Sequence, residues 1–163
     1  MIPDLISGRF YRILFAADQS RLLQGAITPE GRFHHSGQAA LYMSPTPEAA
    51  KIAVATYLRD GDPPRIIAPL KVTNARVLDL RRGDVLAHLG LTGAEPSVLW
   101  QPQRAMGLPA TSWAASDAVR GAGADGMIYT SRKDPARWHL VLFHWNTGAA
   151  IVQEDGPAQP FHP

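Results

Sequence analysis

The chain has 163 residues, enough for one domain that buries roughly two thirds of its unfolded surface. A net charge of +2 on scattered arginines, with no basic run, argues against nucleic-acid binding, and the lack of cysteine excludes disulfides and thiolate metal sites. With no basic leader and no apolar run near the ~20 residues of a membrane span, the expectation is a cytoplasmic protein with no membrane contact.

Phe10 to Ala17 is apolar and aromatic and reads as a first strand. A glycine-framed segment follows, Gly31-Arg32-Phe33-His34-His35-Ser36-Gly37, leading into a short strand from Ala39 to Met43 that holds Tyr42. Thr46-Pro47-Glu48 carries the marks of a helix start: a hydroxyl cap, proline in the first turn and an acid near the positive end. Ala50, Ala53, Val54, Tyr57 and Leu58 continue at helical spacing until Asp60-Gly61. Arg65 to Val72 and Arg76 to Leu80 read as a hairpin or consecutive strands around Asn74. Asp84 to Leu89 reads as a short helix closed by Gly90.

Thr92 to Pro109 is rich in Pro, Gly and Gln and reads as a mobile connection with one short helix near Ser97 to Gln103. Thr111 to Gly121 is a helix whose inner face should carry Trp113, Val119 and Ala122. Strands are expected at Met127 to Thr130, His139 to Trp145 and Ala149 to Val152, and the proline-rich tail from Asp155 to Pro163 should be loose. The fold class is α+β: a single domain, residues 1–163, with mixed and antiparallel strands and peripheral helices.

Arg32 beside Gly31 has the fork that grips phosphate oxygens, and Tyr42 offers a ring for a flat heterocycle. Ser131, just past a strand, could bond a ribose hydroxyl, and Arg132 could add a second anion contact. Each has an ordinary alternative: a turn arginine, strand packing, a turn cap, a solvated charge. The histidines suggest no metal, since His34 and His35 are adjacent and His139 and His144 face opposite ways on a strand. A triad of Ser131, His139 and Asp125 lacks the nucleophile elbow.

In order and spacing, these motifs resemble the RES-domain family, toxins of Xre–RES toxin–antitoxin pairs. The resemblance rests on Gly31-Arg32-Phe33-His34-His35-Ser36-Gly37, Leu41-Tyr42-Met43-Ser44, Pro47-Glu48-Ala49-Ala50 and Val77-Leu78-Asp79-Leu80. It continues in Arg120 through Gly126 to Ser131-Arg132 and in Leu140-Val141-Leu142-Phe143, and so spans about residues 8 to 145. It implies a fold similar to ADP-ribosyltransferase toxins and an enzyme that takes NAD as substrate and needs no metal. Transfer of ADP-ribose to a host protein is the first expectation and depletion of NAD by hydrolysis the second. A degenerate copy that only binds nucleotide or a partner is a further alternative, as is a small hydrolase using Ser131.

The same resemblance implies that Arg32, Tyr42 and Ser131 sit at the catalytic and NAD-binding positions, with Arg132 and His34 as lesser contacts. It also implies a cognate antitoxin covering the cleft, hence a hetero-oligomer. The scarcity of charge, 18 % against about 25 % in an average soluble domain, fits a surface meant to be covered. One departure stands out: many family members carry a glutamate where this chain has Ala53. Glu48 cannot replace it, because five helical residues amount to ~7.5 Å along the axis and about 140° around it.

Overall fold

The longest strand, β3 (Arg65–Asp79), organises the molecule, and the computed structural model describes every residue from Met1 to Pro163. One edge of β3 pairs antiparallel with β1 (Asp4–Phe15). The other edge takes three partners in turn. These are β7 (Gln159–Phe161) and β6 (Ile151–Glu154), both antiparallel, and then β4 (Gly126–Thr130), parallel. Beyond β4 come β5 (Trp138–Leu142) and β2 (Leu41–Met43). A single bridge between Tyr11 and Ser44, with N–H···O distances of 2.7 and 2.9 Å, draws β1 toward the chain just past β2. The mixed sheet of a single α+β domain is therefore as expected, although its two outer edges curl toward each other.

Strand alternation sends residues to two cores. Phe10, Leu41, Met43, Leu70, Val72, Ile128, Leu140 and Leu142 pack inside the curl. Truncating a fully buried member such as Leu70 to alanine should cost about 2–5 kcal/mol. On the opposite face, Phe33, Leu78, Met127, Tyr129 and Val141 meet α2 (Gly83–Leu89) and α4 (Thr111–Gly121) through Val85, Ala115 and Val119. The first helix, α1 (Pro47–Val54), starts as its sequence dictates: Thr46 Oγ1 accepts the Ala49 N–H at 3.1 Å and Pro47 fills the first turn. No helix is long and apolar enough to cross a membrane.

Several expected boundaries are corrected. No hairpin forms around Asn74: Arg65 to Asp79 is one strand, bent where Asn74 adopts φ +57° opposite a register shift between Ile6 and Gly8. A left-handed asparagine in a bulge bends the chain without ending the ladder. The first strand begins at Asp4 rather than Phe10. Helix α1 stops at Val54, with a 3-10 turn at Ala55–Tyr57, well before Asp60-Gly61. Strand β5 ends at Leu142, because the next two N–H groups, of Phe143 and His144, both turn to the Asp125 carbonyl.

The tail is not loose: Gln159–Phe161 pairs with Arg65–Ile67 and buries the Phe161 ring. Nor is Thr92 to Pro109 a structureless connection. It holds a 3-10 turn at Glu95–Ser97 and α3 (Trp100–Ala105), and the Glu95 carboxylate accepts the N–H groups of Thr92 and Gly93 at 2.8 and 2.9 Å. Trp113 and Val119 lie on the inner face of α4 as expected, with Ser112, Ala115 and Ser116 beside them, but Ala122 is exposed.

Candidate functional site

The glycine-framed loop is fixed by hydrogen bonds, not by a strand. Gly31 N–H donates to the His34 carbonyl at 2.9 Å, and a Cβ on Gly31 would overlap the His34 imidazole, so only glycine closes this turn. Helix α4 clamps the loop from outside: Trp113 Nε1–H donates to the Gly31 carbonyl at 2.8 Å and the Ser112 hydroxyl donates to the Arg32 carbonyl. Phe33 is fully buried and meets the Tyr129 ring edge-on at 4.7 Å.

His34 faces inward and His35 outward, where it stacks on Trp113 and contacts Asp117. The inward ring completes a chain with one consistent proton assignment. His34 Nε2 lies 3.0 Å from the Thr28 carbonyl, which can only accept, so Nε2 carries the hydrogen. Nδ1 then accepts from the Tyr42 hydroxyl at 2.8 Å, and that oxygen accepts the Phe33 N–H at 2.9 Å. Burial lowers the His34 pKa and raises that of Tyr42, so both groups stay neutral.

Arg32, His34, Tyr42, Ser131 and Arg132 all line one cavity of about 760 Å³. Strand periodicity explains the convergence. Tyr42 and Ser44 share one face, as do Tyr129 and Ser131, and the registers Tyr42↔Val141 and Tyr129↔His139 align those faces. Ser131 is buried, and its hydroxyl accepts the Asp134 N–H at 3.3 Å. Tyr129, Ser44 and His139 also line the cavity, and none was singled out as a ligand contact in the sequence. The signal for Tyr129 was available two positions before Ser131. That for Ser44 and His139 was not, because it depends on strand register.

The charge balance of the cavity is one-sided. Arg12, Arg32, Arg132 and Lys133 line it against a single carboxylate, Glu30. Arg12 is committed to structure, donating to the carbonyls of Leu22 and Gly25. Glu30 is paired with Arg104 at 3.0 Å. Arg132 and Lys133 are exposed and make no ion pair, whereas the Arg32 guanidinium lies against both the Phe33 and Tyr129 rings, 4.9 and 4.8 Å from their centroids. Burial lowers the Arg32 pKa, but a guanidinium still keeps its charge. Burial also pushes the Tyr129 phenol up to about 12, against the opposing pull of Arg32.

The Ser131, His139 and Asp125 triad is not assembled. His139 Nδ1 partners Ser44 Oγ at 2.8 Å, while the Asp125 carboxylate accepts the Arg76 N–H at 2.8 Å. Ala53 is exposed on the cavity wall, where a longer side chain would have room. Such a hollow, lined by cations, aromatic rings and hydroxyls, suits a ligand that carries phosphate and a flat ring.

A family model described as the RES domain matches residues 9–163. A chain of the M. tuberculosis MbcT–MbcA toxin–antitoxin complex has a similar fold, with a TM-score of 0.61 at 15 % identity, covering 98 % of this chain and 86 % of that one. No curated protein matches the sequence.

Proposed function

This chain belongs to the RES-domain family, and from that premise we propose that it is an NAD-consuming toxin of a bacterial toxin–antitoxin pair. It breaks the nicotinamide–ribose bond and passes ADP-ribose to a host protein. The observation that carries the reading is the convergence of Arg32, Tyr42 and Ser131, from a loop, a strand and the residue just past a strand, on one cation-rich cavity. Its volume of about 760 Å³ lies within the range of small-molecule sites.

The chemistry assigns the tasks. When the glycosidic bond breaks, its electron pair goes to the pyridinium nitrogen, nicotinamide leaves neutral, and positive charge builds on the ribose as in glycoside cleavage. Arg32, with Arg132 and Lys133 at the mouth, holds the pyrophosphate. Tyr42 presents its ring to the nicotinamide, and Ser131 orients the ribose or the carboxamide. No free carboxylate stands beside the sugar, because Glu30 is neutralised by Arg104. Lack of one preorganised electrostatic group typically costs ~10²–10³ in rate. Slow cleavage suits modification of a scarce protein better than emptying a metabolite pool.

The similar fold in a toxin–antitoxin complex supports an antitoxin partner for this chain too. Tyr57 and Leu99 line the cavity yet are 48 % and 45 % exposed, an apolar rim suited to a covering protein. The purified chain incubated with labelled NAD and cell lysate tests the reading. Label on a discrete protein supports transfer, free ADP-ribose alone leaves hydrolysis as the activity, and intact NAD rejects both.

A further inference from the structure

Ser44 and His139 form a buried pair that the proposed reaction does not use. They are 2 % and 3 % exposed, line the cavity, and meet through Ser44 Oγ and His139 Nδ1 at 2.8 Å. The serine cannot move freely, since its backbone N–H and carbonyl are both bonded to Tyr11. The imidazole is held beside its cross-strand partner Tyr129, ring centroids 5.5 Å apart.

Counting donors settles the tautomer. The Ser44 hydroxyl has no acceptor other than His139 Nδ1. A buried O–H left without an acceptor costs about 1–3 kcal/mol, so it donates to Nδ1. The ring hydrogen then resides on Nε2, which has no protein partner and is not sealed off from solvent. Burial, reinforced by the nearby Arg32 charge, pushes the His139 pKa down to about 4, so the ring is neutral at pH 7. The charged and titratable groups around it are Arg32 and Tyr129, neither of which supplies a negative charge at that pH.

We propose that the Ser44–His139 pair is a ligand-binding element of the cavity floor, in which Ser44 positions the imidazole so that Nε2–H is offered to an uncharged oxygen of the ligand. Resting on the NAD reading, the acceptor is a ribose hydroxyl or the carboxamide carbonyl, and the phosphates stay with the cations. A neutral donor beside Arg32 discriminates among ligand oxygens without adding to the positive charge that the developing sugar cation must tolerate.

The test uses the full-length chain with 15N-labelled histidine and carba-NAD, a dinucleotide lacking the cleavable glycosidic bond. Binding is measured by calorimetry and the imidazole nitrogens by NMR at pH 7. The free protein should show His139 as the neutral Nε2–H tautomer, and saturation with carba-NAD should shift its nitrogens. A shift with ADP-ribose as well assigns the ribose, and a shift with carba-NAD alone assigns the carboxamide. His139→Phe should weaken binding about tenfold, the value of one hydrogen bond. Ser44→Ala should retain the ring, mix the tautomers and weaken binding by a smaller factor. Binding with unmoved His139 nitrogens, or a free protein carrying the Nδ1–H tautomer, overturns the proposal while leaving the NAD reading intact. Absence of carba-NAD and ADP-ribose binding overturns both.

Discussion

Nε and Nη2 of Arg32 both donate to the carbonyl oxygen of Pro96, at 3.0 and 2.6 Å. The cation of the cavity is thereby aimed by a carbonyl sixty-four positions away in the chain, in a segment whose composition reads as a linker. Lysine keeps the charge but not the planar fork or its contact with the Phe33 and Tyr129 rings. Arg32→Lys should therefore lose ~10²-fold or more in NAD turnover while retaining most of its stability. Arg32→Ala should abolish growth arrest when the chain is expressed in bacteria. Turnover of Arg32→Lys within threefold of the parent would show that charge alone suffices.

Tyr42 has two separable jobs. Its ring faces the cavity, and its hydroxyl joins the Phe33 N–H to His34. Tyr42→Phe preserves the ring and leaves that N–H and His34 Nδ1 unpaired, at about 1–3 kcal/mol. The melting temperature should fall by roughly 2–4 °C per kcal/mol in a domain of this size. NAD turnover per folded molecule should change much less than in Tyr42→Ala, and equal losses in the two variants would refute the stacking role.

Ala53 stands where the resemblance to the family leads one to expect a carboxylate. It is exposed on α1 and lines the cavity, so glutamate fits sterically and suits a helix. Ala53→Glu should raise the rate of nicotinamide release by about tenfold, a fraction of the ~10²–10³ attributed to one well-placed electrostatic group. Glu30→Gln should alter the rate by less than threefold, because Arg104 already offsets that charge. Steady-state nicotinamide release measures both, and a large loss in Glu30→Gln would identify Glu30 as the working acid.

Acid should destabilise the fold before most carboxylates titrate. His139 is held at about 4 by burial and the Arg32 charge, against 6.5 when unfolded, and burial also lowers His34. Between those values the unfolded chain binds more protons than the folded one, so stability rises with pH. The His139 contribution, up to about 3 kcal/mol, is complete above pH 6.5 and is lost as pH falls toward 4. Asp79 does not share this window. Despite burial, the fork of Arg81 keeps its pKa below 3.8. Urea denaturation at pH 7 and pH 4.5 should show the drop, and His139→Asn should flatten it. An unchanged slope in that variant would exclude His139 as its source.

Features carried by local chemistry were legible before any coordinates. The Thr46 cap and Pro47 fix the start of α1, and Gly90 fixes the end of α2, through bonds within a few residues, whereas α1 ends at Val54 without such a signal. The bend at Asn74 was legible as a turn residue but not as a bulge, because only the partner strand decides whether a left-handed asparagine ends a ladder or bends it. The tail and the segment around Pro96 depart from what their composition implies for a related reason. Proline content reports a missing N–H, and it says nothing about the carbonyls or side chains that a distant element recruits.

Sequence alone determined the α+β class and the family, because the order of short motifs is written directly in the chain, and it pointed to Arg32, Tyr42 and Ser131, which line one cavity. Tertiary structure alone decided that Ser44 meets His139, that Glu30 is neutralised by Arg104, and that Arg32 is aimed by Pro96. Those contacts follow from strand register and loop docking. A one-residue slip in register would turn each strand side chain to the opposite face, and no local pattern around Ser44 or His139 encodes the choice.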